Sequence, residues 1–249
     1  MEDRPAPMPA ERPIVTGVVA PDHYAAEAAA LADPRALTIL TTEHWSLLSG
    51  RSLVYNEAFS RAGMFLSFLA ATLVALSLMS NAMGFRAGFL AVCLLVLGLD
   101  LFIGLATMGR VSTSTSEDIR HLQGMNRLRH AYHEILPGLE DYFMTGFHDD
   151  VRGIFQAYGA DVQSRTRRSI LHGFTTVVGM LGVINASLAG VLVGIAALLA
   201  DASAEVAALA GVVAFAIGLA IAVEFMTRSV ASTVSGLEVR FPTPGPADR

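Results

Sequence analysis

Apolar residues in this chain gather into four long runs, separated by segments whose apolar positions recur every three or four residues. A bilayer core is ~30 Å thick and a helix rises ~1.5 Å per residue, so about 20 apolar residues make a span. The runs at about Ala62–Ser80, Ala87–Met108, Gly173–Ala200 and Glu205–Met226 meet that length. Backbone inside lipid must satisfy its own hydrogen bonds, which leaves helices as the reading of these runs. The links Asn81–Arg86 and Asp201–Ala204 are short, so the runs are expected to form two tight hairpins.

The segments between the runs carry a helical period. Leu47, Leu48, Val54 and Phe59 recur at that spacing, and Thr41 or Thr42 makes a good N-cap. One long helix is therefore expected to enter the first span without a break. Trp45 and Tyr55 on it suit either the membrane interface or packing against another helix. The middle segment opens with Ser114-x-x-Glu117, a capping-box pattern, and continues in a stripe of Ile119, Leu122, Met125, Leu128, Tyr132, Ile135 and Leu139. Pro137-Gly138 should break or kink that helix. Further helices are expected at about Val151–Tyr158 and Ala160–Leu171. Before all of these, Tyr24–Leu31 suits a short helix, and prolines at 5, 7, 9 and 13 favour disorder at the start.

The expected fold is all-α: a polytopic membrane protein with four transmembrane helices as two hairpins, extended by cytoplasmic helices. Its parts are a mostly disordered tail (1–40), a helix running into the first hairpin (41–108), a helical segment (109–172), the second hairpin (173–226) and a C-terminal tail (227–249).

Composition supports this reading. Of 249 residues, 53% are apolar and only 16% charged, against about 25% charged in a soluble domain. Net charge is −5, which offers no basic field for nucleic acid. The single cysteine, Cys93, excludes an intrachain disulfide. All seventeen basic residues are arginine, as in the alanine-rich products of GC-rich bacterial genomes. Sixteen of them lie outside the two hairpin links, which hold only Arg86. Positive residues stay cytoplasmic, so both termini and the middle segment are expected inside a bacterial cytoplasmic membrane. Arg165, Arg167 and Arg168 read as an anchor beside anionic lipid. The first 40 residues hold no signal-peptide core, so the first span is expected to act as its own insertion signal.

Candidate chemistry is sparse. Asp100 lies inside the second run, ~10 Å from its cytoplasmic end, where a carboxylate costs about 2.5–3.5 kcal/mol. It fits an ion or proton site, or a structural hydrogen bond to another helix. Asn185 is the expected partner, with Ser67 and Ser77 behind it. Glu224 and Arg228 are spaced as a helical ion pair. Gly190-x-x-x-Gly194, Ala207-x-x-x-Gly211 and Ala214-x-x-x-Gly218 mark helix contacts within the chain or between copies. His130, His133 and Glu134 share a helical turn, and His148, Asp149 and Asp150 can fold back on them as nitrogen and oxygen metal ligands. Interfacial histidines, and Asp149-Asp150 capping the helix at Val151, are the competing reading. The pattern HxxHE is neither of the zinc-protease arrangements, and no P-loop, nucleophile elbow or CxxC pair occurs.

The runs LTTEHWSLLSGRSLVYNEAFSRAGMFLSFL, MNRLRHAY and ILPGLEDYFMTGFHDD resemble a family of uncharacterised actinobacterial integral membrane proteins over about Leu40–Asp150. That resemblance implies no activity. The order of cytoplasmic helix, two-span hairpin and cytoplasmic helix is also similar in architecture to the SLATT membrane-effector domains, suspected pore formers, although a second hairpin departs from them.

The expected function is that of a non-enzymatic membrane protein, an oligomeric scaffold whose segment 109–172 binds a cytoplasmic protein. Its partners are then the lipid bilayer and copies of itself, without a cofactor. A channel, pore or proton-coupled transporter using Asp100 is the alternative. A membrane enzyme with a His/Asp metal site is the distant one.

Overall fold

A computed structural model describes residues 28–158 and 176–245, and everything within them is helix, turn or coil. The expected disorder at the start, part of the helix at Tyr24–Leu31, the helix at Ala160–Leu171 and Arg165, Arg167 and Arg168 lie outside the described residues.

Among the described residues, five α-helices have both ends defined: α1 Ala36–Met83, α2 Ala87–Ile135, α3 Val151–Gln156, α4 Val177–Leu199 and α5 Ala204–Ser235. A 3₁₀ turn lies at Glu140–Tyr142. Four of the helices, α1, α2, α4 and α5, are long and apolar enough to cross a membrane, so the chain is a multi-pass membrane protein.

Two of the expected helix starts move. The first helix begins at Ala36, ahead of Thr41 and Thr42, and Thr42 instead donates to Thr38 O at 2.8 Å inside the helix. The boundary expected at residue 40 therefore falls within α1. The capping box at Ser114 caps nothing, because α2 runs from the second apolar run to Ile135 without interruption. An N-cap needs free amides, and here each amide is already bonded within the helix. Ser114 Oγ turns back to Arg110 O at 3.3 Å, and Thr113, Thr115 and Ser116 bond back one turn in the same way.

The links are built as short turns. Gly84 closes α1 with φ +65°, a conformation glycine adopts without strain. Thr176 and Ser203 cap α4 and α5, accepting from Gly179 N at 3.1 Å and Val206 N at 3.4 Å. Leu136 ends α2 in an extended conformation just before Pro137-Gly138, as expected. Helix α5 continues past Met226 to Ser235, so the first part of the expected tail 227–249 is helical.

Helix α2 is the hub: α1 packs along one side of it, α4 and α5 along another, and α3 near its far end. Phe65, Cys93, Leu97, Val111 and Leu181 lie in the main apolar core. A second, smaller core joins Ile119, Leu122 and Ile154, with Leu237 against it. Beyond the apolar runs, α1 and α2 both continue as polar helices for about seven turns, or ~38 Å.

Candidate functional site

About three turns beyond the end of the second apolar run, α1, α2 and the residues after α3 converge on Asp118. It lies on the buried stripe of α2, in helical register with Leu122 and Met125, and is almost wholly buried. Arg51 Nε of α1 donates to its Oδ1 at 2.6 Å. The Tyr55 hydroxyl donates to Oδ2 at 3.0 Å, and the Tyr158 hydroxyl donates to the same oxygen. A buried carboxylate costs far less when charge-assisted hydrogen bonds surround it. Burial first, and then the Asp118 carboxylate, raise the pKa of both tyrosines above the ordinary value, so they stay protonated donors. Burial works against the Arg51 charge, but the bond and charge of Asp118 outweigh it and raise its pKa. A cavity of about 440 Å³ opens beside this cluster.

A more exposed ion network lies nearby. Arg110 Nη2 meets Glu57 Oε2 at 3.0 Å and its Nη1 meets Glu117 at 3.4 Å, while Arg61 pairs with Glu57 at 2.9 Å. Half-exposed pairs of this kind contribute little stability each. Glu224 and Arg228 form the expected pair at 2.5 Å, on an exposed face.

Asp100 is fully buried between helices, but its partner is not Asn185. The Thr72 hydroxyl of α1 reaches Oδ1 at 3.4 Å, and Oδ2 has no hydrogen-bond partner. Asn185 lies instead over Gly104, one turn along α2, so close that a Cβ there would fall 2.0 Å from its Oδ1. Both ends of the Asn185 amide are buried and unpartnered. Ser67 and Ser77 face outward.

The histidine and aspartate residues do not assemble a metal site: among the described residues no group of three ligands is placed to hold one. They dock the chain after α5 instead. Asp149 is fully buried, and its carboxylate accepts from Arg127 Nε at 2.7 Å, from Phe241 N at 2.7 Å and from Arg240 N at 3.1 Å. Asp150 caps α3 through Gly153 N at 2.8 Å and takes Thr243 Oγ1 at 2.9 Å. Burial opposes its charge, but these bonds prevail and hold its carboxyl below the usual range. Gln123 Nε2 and Arg127 both donate to Glu238 O. His130 stacks on Phe241 at 3.9 Å and approaches Glu134 at 3.4 Å; His133 and His148 flank Phe147. Burial pushes the His130 pKa down against the pull of Glu134. The expected tail is thus a strap laid across α2 and α3.

The small residues seat α4 on α5 within one chain. A Cβ at Gly190 would lie 2.7 Å from Gly211 O, one at Gly218 would lie 3.2 Å from Ala186 Cα, and one at Gly194 would lie 3.4 Å from Ala207 O.

At the far end of the α1 and α2 extensions lies an apolar groove of about 540 Å³, lined by Leu37, His44, Trp45, Leu48, Ile135 and Phe143 among others. Trp45 is 64% exposed there, whereas Tyr55 is drawn onto α2 by Asp118.

Sequence reasoning passed over Arg51, Thr72, Asp118 and Tyr158. Asp118 was findable, since an acid in line with Leu122 and Met125 interrupts an otherwise apolar stripe. Thr72 and Tyr158 carry no such signal. No family model, no curated protein and no solved structure compared with the chain matches it.

Proposed function

We propose that this chain is a non-enzymatic scaffold of the bacterial cytoplasmic membrane that works as an oligomer. Its four spans form two hairpins with both termini inside, and the polar extensions of α1 and α2 stand in the cytoplasm. The arginine distribution supports that orientation.

The observation that carries the reading is the groove around Trp45. Leu37, Thr41, Trp45 and Leu48 follow one another at helical spacing on α1, outside the apolar run, and the large side chains among them stand exposed. An apolar stripe of this kind on a polar helix is the surface that another helix covers. The occupant is the same stripe of a second copy, which closes a symmetric contact. Residues 109–172 then present the surface for a cytoplasmic protein. Native mass spectrometry of the full chain tests this: a multiple of the chain mass that Trp45→Glu reduces to one chain supports it. A wild-type protein that is one chain at every concentration overturns it.

A second reading follows from the unpartnered Asp100 Oδ2 and Asn185 amide. Ionisable groups inside a membrane protein are costly and line ion or proton paths in many of them, and a buried polar group without a partner calls for an explanation. In that reading the protein conducts, and proton flux into liposomes is present in wild type and lost in Asp100→Asn. Equal flux in both, or none in either, removes it.

A further inference from the structure

The strap after α5 is bound the way a receptor binds a peptide. Gln123 Nε2 donates to Glu238 O at 2.8 Å, and Arg127 donates to the same oxygen. The Asp149 carboxylate takes the amides of Arg240 at 3.1 Å and Phe241 at 2.7 Å, while Asp149 N donates to Phe241 O at 3.2 Å. Thr243 N and Oγ1 donate to Asp150 at 3.1 and 2.9 Å. All of these bonds except the one from the Thr243 hydroxyl use main-chain atoms of the strap. Two of its side chains act as anchors. Leu237 packs on Ile119, Leu122 and Ile154, and the Phe241 ring stacks on His130 at 3.9 Å. Glu238, Val239, Arg240 and Pro242 are exposed. Pro242 has no amide to offer and a fixed φ, so it stiffens the segment without forfeiting a bond. Main-chain bonds supply affinity in such a site and spaced anchors supply selectivity. The pattern it reads is Leu-x-x-x-Phe-Pro-Thr.

The receiving side is held together by contacts of its own. Gln123, Arg127 and His130 stand a turn apart on one face of α2. Asn126, fully buried, donates from Nδ2 to His148 O at 2.8 Å. A Cβ at Gly153 would fall 2.1 Å from that same oxygen, so α3 is pressed against residues 148–150. Asp150 caps α3 through Gly153 N, and Asp149 pairs with Arg127 at 2.7 Å. None of these contacts uses an atom of the strap, and a preformed site binds at low entropic cost. The strap itself is less secure: each residue from Leu237 to Thr243 is half-buried or exposed. Segments with few buried contacts open locally, well below the free energy of global unfolding. An opened strap leaves the Asp149 carboxylate without the amides of Arg240 and Phe241, which favours any segment that replaces them.

The strap of a second copy is poorly placed to do so. Ser112 Oγ meets Ser229 Oγ at 2.8 Å and Thr233 Oγ1 donates to Ser116 Oγ at 2.8 Å, so the end of α5 is tied to its own α2. Leu237 follows Thr233 within four residues and stays beside the α2 of its own chain. We propose that this face of α2 and α3 is a peptide-recognition site, filled in cis by the strap, whose partner is another protein's extended segment with the pattern Leu-x-x-x-Phe-Pro-Thr. The proposal rests on the reading that residues 109–172 bind a cytoplasmic protein, and it names the site and the kind of segment. A partner held in the same membrane competes with the strap at a comparable effective concentration.

The test uses the full chain in nanodiscs and a labelled, end-capped peptide of residues 237–245, read by fluorescence anisotropy with empty nanodiscs subtracted. The chain is either wild type or carries Phe241→Ala with Thr243→Ala, which loosens its own strap and leaves Gln123, Arg127, Asp149 and Asp150 unchanged. The peptide should saturate the loosened chain below about 1 mM and bind wild type about tenfold more weakly, because there the strap fills most of the sites. A second peptide carrying Phe241→Ala should not saturate the loosened chain in that range. If the loosened chain loses its helical circular dichroism, the two peptides are compared on wild type at about tenfold higher concentration, where the same preference is expected. No saturation by the first peptide, equal affinity for the two folded chains, or equal binding of the two peptides overturns the proposal. Native mass spectrometry of the same samples reads the oligomer separately. A single chain at every concentration removes the scaffold reading and leaves the peptide result standing, whereas a failed peptide removes this site alone.

Discussion

Asp118 shows how one residue ties three parts of the chain together. Arg51, Tyr55 and Tyr158 all terminate on its carboxylate. Asp118→Ala leaves a guanidinium and two half-buried hydroxyls without their acceptor, and should cost about 3 kcal/mol in unfolding experiments. Asp118→Asn, which keeps the shape and one acceptor, should cost less. The strap after α5 depends on a second residue of this kind, and it is sensitive to pH. Burial lowers the His130 pKa in the docked state, so the released strap binds protons more readily. Docking is then at full strength above the ordinary histidine pKa of about 6.5 and weakens as pH falls below it. The protection factors of the Arg240 and Phe241 amides, their exchange measured against the free-peptide rate at the same pH, should fall between about pH 7 and 5, above the carboxylate range. In His130→Gln that loss of protection should disappear; if it persists there, another group controls the strap.

At the scale of elements, the glycines of α4 and α5 differ in a way that separates packing from mere composition. The atom a Cβ would strike at Gly190 is the backbone oxygen of Gly211, which cannot rotate away. Gly190→Ala should therefore force the helices apart and destabilise the protein by about 1–3 kcal/mol. Gly194→Ala meets Ala207 O at 3.4 Å, an ordinary contact distance, and should change stability by well under half as much. Unfolding of the two variants in micelles reads the difference. Equal effects would mean that the contact is made elsewhere, between copies. Much at this scale was legible beforehand. The existence of four long apolar helices, the stop before Pro137-Gly138 and the Asp150 cap all follow from local chemistry. The starts expected at Thr41 or Thr42 and at Ser114 did not. Thr41, Thr42 and Ser114 are good caps, but a helix already propagating absorbs them, because extension costs much less than a new start.

Across the whole molecule, local pattern runs out where partners are distant in sequence. The acid Asp100 stands out inside its apolar run, yet its neighbour is Thr72 of α1, and Asn185 sits a turn away over Gly104. Residues 148–150 read as ligands or caps because nothing near them announces that the chain beyond α5 returns to bond Asp149. The same limit hides which surface another molecule covers. The exposed stripe around Trp45 becomes apparent only once α1 and α2 are seen to leave it unfilled.

Self-association through that stripe is the centre of this account, and cysteine crosslinking in native membranes tests it most directly. Cys93, the chain's one cysteine, is buried, so a cysteine introduced by Leu48→Cys is the reactive one. The account predicts a crosslinked dimer from Leu48→Cys that Trp45→Glu in the same chain removes. No dimer from Leu48→Cys, or a dimer indifferent to Trp45→Glu, would contradict it.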